Sequence, residues 1–205
     1  MRVLAFSVFA LVLAGAAQAA ELTVRVTNAG GAPVENAVVT FAPAQRPAGP
    51  IRFSWPYQIA QQNLQFDPYI LIVPVGAEVR FPNLDRVRHH VYSFSGGNRF
   101  ELELYGRDET RTRRFTSVGV AAIGCNIHDQ MQAYIVIVDT PFVGRTGANG
   151  LVTIEGVSGA GELSVWHADA RVRGGWVRRP VSLPASGPVQ QNMVLQLRAA
   201  GGHAH

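Results

Sequence analysis

The stretch Gly124-Cys-Asn-Ile-His-Asp-Gln-Met131 contains the single cysteine of the chain. Cys125, His128 and Met131 fall in a C-x2-H-x2-M pattern, so a thiolate, an imidazole and a thioether share one short loop. These are soft ligands of the kind that select copper. A second imidazole would complete a His2Cys trigonal site with a weak axial methionine, the blue-copper geometry. Upstream, the segment from Phe81 to Phe94 carries adjacent His89 and His90. Strand alternation lets only one of the two face a metal. Val91 and Tyr92 are both apolar, so periodicity does not choose between them. Taken singly, each residue has a plainer role: a buried cysteine is a small hydrophobe and a methionine fills gaps. Three soft ligand types within seven residues, followed at once by Tyr134-Ile-Val-Ile-Val-Asp139, point instead to a metal loop between two strands, where ligands are held rigidly.

The elements that must position this loop are strands. The chain is rich in Gly (21) and Pro (12), its apolar runs are short, and amphipathic helical periodicity is nearly absent. That composition is all-β. Glu21–Thr27 alternates cleanly, as does Phe100–Tyr105, and Thr110–Phe115 follows it as a further strand. The last two are expected to pair, with Arg111, Arg113 and Arg114 staying wet on an edge. Further strands are expected at Ala37–Phe41, Tyr69–Val75, Ala77–Phe81, His90–Phe94, Val118–Ile123 and Tyr134–Val138. After Thr140 four more follow, at Leu151–Ile154, Glu162–His167, Val181–Leu183 and Gln190–Leu197. Pro43–Pro50 reads as a linker.

Met1-Arg2, the apolar stretch Val3–Leu13 and Ala17-Gln-Ala19 together read as a secretory signal peptide over residues 1–19. The apolar stretch is shorter than the roughly 20 residues of a comfortable span, and no later segment is longer. The expectation is an exported protein with no membrane span after cleavage, leaving about 185 residues for one large or two small domains. All 18 basic residues are arginine and the net charge is +4. With the alanine-rich signal, this points to a bacterial periplasm. A lone cysteine in an oxidising compartment makes no internal disulfide, and metal ligation would protect it. Nucleic acid is excluded as a partner, because the chain is exported and aromatics do not interleave with the Arg107–Arg114 cluster. His167 reads as structural, and His203 and His205 fall in a polar tail, residues 200–205, read as disordered.

With these residues in hand, the middle of the chain resembles the cupredoxins, most closely the plastocyanin-like, amicyanin-like and methylamine-utilisation-type periplasmic copper proteins. The resemblance runs from about Asn63 to Thr140. Leu71-Ile-Val-Pro-Val-Gly-Ala-Glu-Val-Arg-Phe-Pro-Asn-Leu-Asp85 resembles the strand-turn-strand leading to a first ligand, and His89-His-Val resembles a His-Asn-Val step. The spacing from Cys125 to Met131 is short, as in amicyanin. The chain departs from plastocyanins at Gly124, where an aromatic residue often precedes the cysteine, and at Ile127, where proline is common. The resemblance implies one type 1 copper per chain held by His89, Cys125, His128 and Met131. It further implies one-electron transfer to or from a c-type cytochrome or periplasmic dehydrogenase, docked at the His128 face near Pro82, Ile127, Gln130 and Met131.

The flanks carry a second resemblance. Leu22–Phe41, with Gly31-Ala-Pro-Val-Glu-Asn-Ala-Val-Val, and the later Gly147–Gly150, Ile154 and Glu162–Trp166 are similar to a carboxypeptidase-regulatory-like sandwich. The expected architecture is therefore a cupredoxin Greek-key β-sandwich over 50–139, inserted in a discontinuous small β-sandwich built from 20–42 and 140–199. The expected role is a carrier, not an enzyme. The alternative is a copper chaperone or buffer using the same ligands without electron-transfer turnover.

Overall fold

The computed structural model describes residues 20–198; the expected signal peptide and the polar tail with His203 and His205 lie outside the described residues. The first strands in chain order are β1 (Ala20–Asn28), β2 (Val38–Pro43), β3 (Ala60–Gln62), β4 (Gln65–Asp67), β5 (Ile70–Pro74) and β6 (Glu78–Pro82). They are followed by β7 (His89–Ser93), β8 (Phe100–Tyr105), β9 (Thr110–Arg114), β10 (Gly119–Cys125) and β11 (Gln132–Val138). The C-terminal third adds β12 (Val143–Arg145), β13 (Leu151–Val157), β14 (Gly159–Trp166), β15 (Trp176–Leu183) and β16 (Pro188–Leu195). The only helical element among the described residues is a 3-10 turn at Arg173–Gly175. The fold class is all-β.

The middle of the chain forms one sandwich. Its larger sheet has the order β5-β11-β10-β7-β8, with β5 and β11 parallel and the rest antiparallel. Facing it, β6 pairs with β9, and single parallel bridges at Gln58–Arg80 and Gln61–Asn83 join the β3–β4 hairpin to β6. Between the two layers lies a core that includes Leu71, Val79, Phe81, Phe115, Ile123, Ile135 and Ile137.

The expected pairing of the arginine-rich strand with Phe100–Tyr105 is corrected here. β9 pairs with β6 across the sandwich, not with β8. The reason is packing: Phe100 and Phe115 both point into the core from opposite layers, and their rings meet edge to face at 5.6 Å. A hairpin of the two strands would set these rings side by side on one sheet. All five residues of β9 remain exposed, so the arginines are wet as expected, on a different strand pair.

The two ends of the chain build a second sandwich. β1 lies between β13 and β16, and this sheet faces one of order β12-β2-β14-β15. Leu22, Val24, Val26, Phe41, Leu163 and Val165 fill its core. A third apolar cluster of Val38, Ile70, Ile72, Val136, Val138 and Trp166 glues the two sandwiches together. This explains why Tyr134–Val138 is continuously apolar. Ile135 and Ile137 face the inner core while Val136 and Val138 face the other sandwich. A strand buried on both faces cannot alternate. Burying each such side chain is worth about 1.5–3 kcal/mol, which holds the sandwiches together.

Candidate metal centre

Three loops meet at one end of the middle sandwich. The first is the turn of the β3–β4 hairpin. Asn63 and Leu64 both have positive φ, at 57° and 58°, as a two-residue hairpin turn demands. The second runs from Pro82 to Arg88 and is organised by Asn83, which is fully buried. The Asn83 amide donates to the carbonyls of Val87 and Tyr105 at 2.9 and 3.2 Å, and its Oδ1 accepts from the Asp85 N–H at 2.9 Å. The third is the cysteine loop between β10 and β11. There the Met131 N–H donates to the His128 carbonyl at 2.9 Å and the Cys125 N–H to the Met131 carbonyl at 3.3 Å.

His89 opens β7 and points inward, wholly buried. Its Nδ1 lies 3.7 Å from the Cys125 sulfur, and the Nδ1 of His128 lies 3.6 Å from the same sulfur. The ligand atoms of the three residues all fall within 4.8 Å of one another. Cys125 and Met131 are buried and His128 is half-buried. His90 points the other way, and its Nε2 meets the Glu101 carboxylate at 2.8 Å. The structure thus brings His89, Cys125 and His128 together, closes the loop with Met131 in the same core, and sets His90 outside.

The separations test whether a metal fits. A metal bonded to sulfur at about 2.3 Å and to imidazole nitrogen at about 2.0 Å, the zinc values, sets S and N roughly 3.7 Å apart at trigonal angles and roughly 3.5 Å apart at tetrahedral ones. The observed 3.7 and 3.6 Å fall within this spacing.

Sequence reasoning missed what holds His89. Its outer nitrogen, Nε2, meets the Asp85 carboxylate at 2.8 Å. The same carboxylate accepts the Asn63 and Leu64 backbone N–H groups at 2.7 and 3.1 Å, tying the hairpin turn to the histidine loop. Burial opposes ionisation of Asp85, but the bonds from His89, Leu64 and Asn63 outweigh it and hold the carboxyl below its ordinary value. A metal-ligating imidazole characteristically gives its second N–H to such a carboxylate, which fixes the ring. A carboxylate four residues before the histidine was the available signal.

No family model matches the chain, and no curated protein does. Among solved structures, similar ones include a copper-containing nitrite reductase from Thermus scotoductus, at 26% identity and TM-score 0.39 over 46% of this chain. The chain spans only 25% of that reductase. A purple cupredoxin from Nitrosopumilus maritimus is similar at 22% identity and TM-score 0.37, over 40% of this chain and 98% of its own. A reduced variant of amicyanin is similar at 18% and 0.39, over 49% and 98%. The strand order, with a histidine opening β7 and the cysteine loop joining β10 to β11, is the deciding observation. The middle sandwich resembles the cupredoxins among these structures. The three loops that meet around His89, Cys125 and His128 lie at one end of this sandwich. Exposed Ile127, Leu64, Leu84 and Val87 sit on them. Pro82 and Met131, expected in that apolar face, are buried.

Proposed function

We propose that the protein is an exported copper protein that passes single electrons between redox partners. Nδ1 of His89, Sγ of Cys125 and Nδ1 of His128 would hold copper, with the Met131 thioether as a fourth ligand. Copper held by this donor set supplies a one-electron couple and an intense thiolate charge-transfer colour. The observation that carries the reading is the pair of sulfur–nitrogen separations, 3.7 and 3.6 Å, around one buried cysteine. Two strands and a carboxylate fix these groups, so the site needs little rearrangement when its charge changes. With Met131 the site would offer four protein ligands, whereas a catalytic metal keeps a position open. A carrier fits better than an enzyme.

His128 is the one half-exposed member of the set. Its edge, with Ile127 beside it at 52% exposed, is the natural contact for a c-type cytochrome or periplasmic dehydrogenase. The terminal sandwich would hold the copper sandwich at a set orientation to that partner. The only helical element among the described residues is three residues long, and no helix there is long and apolar enough to cross a membrane.

The test is the visible spectrum and voltammetry of the copper-loaded mature chain. Intense blue to purple colour, bleached and restored reversibly by one electron per copper, is expected. A colourless copper(II) protein, or one that loses its metal on reduction, would favour copper handling without turnover.

A further inference from the structure

We propose that the cleft where the two sandwiches splay apart binds a neutral saccharide. The inference does not depend on the copper reading.

The outward face of the β12-β2-β14-β15 sheet changes character along its strands. One row across it, Val38–Trp166–Trp176, is apolar, and it packs into the third apolar cluster against the middle sandwich. The next row is Thr40–Ser164–Arg178, and beyond it Glu162 stands between Ala42 and Pro180. There the sandwiches part and leave a cleft of about 500 Å³, whose far wall is residues 118–120 and 137–139 of the middle sandwich. That volume is ordinary for a small-molecule site, and junctions between domains are where such sites concentrate. Splaying alone would place polar residues in open water. Here Thr40 and Ser164 are only 7% and 5% exposed, so two hydroxyl residues lie on the cleft floor.

Around that floor the charges cancel. Arg178 Nε lies 3.4 Å from Glu162 Oε1, and the Ser164 hydroxyl donates to the same oxygen at 3.2 Å. The other pair is Arg46 with Asp139, at 2.6 Å. Two guanidiniums and two carboxylates leave no net charge to select an ion. A guanidinium only donates and a carboxylate only accepts, so each pair offers a donor beside an acceptor. Neighbouring hydroxyls of a sugar ring, each donor and acceptor at once, match that arrangement. Ion pairs this open to solvent contribute little on their own, so hydroxyls can bridge them at small cost. The C–H face of a sugar ring needs an apolar wall beside these groups. Trp176 supplies it from the terminal sandwich, with the Arg178 guanidinium 5.6 Å from its ring centre. Val118, 55% exposed, and Val120 supply it from the middle one. A saccharide held there touches both sandwiches and anchors the whole chain to a glycan through their junction.

The test is saturation-transfer-difference NMR on the mature chain with glucose, N-acetylglucosamine, maltotriose, cellotriose and chitotriose as probes, followed by isothermal titration of those that respond. Transfer to the ring C–H protons of at least one trisaccharide is expected, with an affinity that high salt leaves unchanged. Glu162→Gln should weaken that affinity roughly tenfold, since the lost bonds are to a charged group. The Glu162 side chain is 51% exposed, so this variant keeps the fold, and an unchanged melting temperature checks it. Trp176→Leu, which keeps an apolar side chain on the third cluster, should also weaken binding. Transfer to none of the five probes, or an affinity unchanged in either variant, would overturn the proposal. Binding of a heparin fragment but of no neutral sugar, abolished by salt, would overturn it in favour of a polyanion on the exposed Arg171, Arg173 and Arg179.

Discussion

Replacing Asp85 by alanine removes the one group that holds His89 from outside. The carboxylate meets His89 Nε2 at 2.8 Å and is largely buried, with 13% of its side chain exposed. A hydrogen bond to a charged group contributes about 1.5–3 kcal/mol. At about 1.4 kcal/mol per factor of ten, its loss lowers copper affinity roughly ten- to a hundredfold, the range known for partners of metal-bound histidines. Asp85 also accepts the N–H groups of Asn63 and Leu64. Those residues are exposed, so water can replace the carboxylate there, and the stability loss should be no more than about 1 kcal/mol. Chelator competition and thermal melting of the same Asp85→Ala protein separate the two effects. Asp85→Asn, which keeps an acceptor but loses the charge, should fall between. If Asp85→Ala melts lower yet binds copper as tightly as the parent, the carboxylate builds only the hairpin turn and the reasoning fails.

His89→Ala should lose copper whereas His90→Ala should retain it, because only His89 points at Cys125; metal-to-protein ratios after dialysis check this, and the reverse pattern would move the ligand to His90. Met131→Gln should keep the colour and shift the reduction potential, since the axial bond is weak; an unchanged potential would take Met131 out of the site. Burial, against the opposite pull of Asp169 and a Glu35 backbone bond, holds the His167 imidazole below its ordinary 6.5. The folded state therefore prefers the neutral ring, and stability falls as pH drops from 6.5 through the folded value, where the unfolded chain binds more protons. In copper-free His167→Gln that part of the fall should shrink, as read by denaturant titration at several pH values; an unchanged profile would refute it.

The C-x2-H-x2-M loop was legible because its chemistry lies within seven residues, and the strands because β1 and β8 alternate. Position choice at His89 and His90 was not legible from period alone, since Val91 and Tyr92 are both apolar and β7 packs on one face and carries aromatics on the other. The strand Tyr134–Val138 was visible as apolar, but its burial on two faces depends on a second sandwich brought from both chain ends. The mispairing of Thr110–Phe115 has the same origin: two neighbouring strand-like segments look like a hairpin, and only the meeting of Phe100 with Phe115 across the core separates them. The β3–β4 hairpin was not legible because its turn uses Asn63 and Leu64, not the glycine that usually marks a positive φ. Asp85 was missed because one of its roles joins loops over 20 residues apart in sequence, which leaves its place four residues before His89 as the one local signal.

The central claim is that the Cys125 thiolate, with His89 and His128, would hold copper. The most direct measurement is the visible absorption of copper(II)-loaded Cys125→Ser beside the parent chain, with bound copper counted in both. The account predicts an intense charge-transfer band in the parent that disappears in Cys125→Ser, because the thiolate–copper bond creates it. A Cys125→Ser protein that binds copper with the parent's spectrum would contradict it.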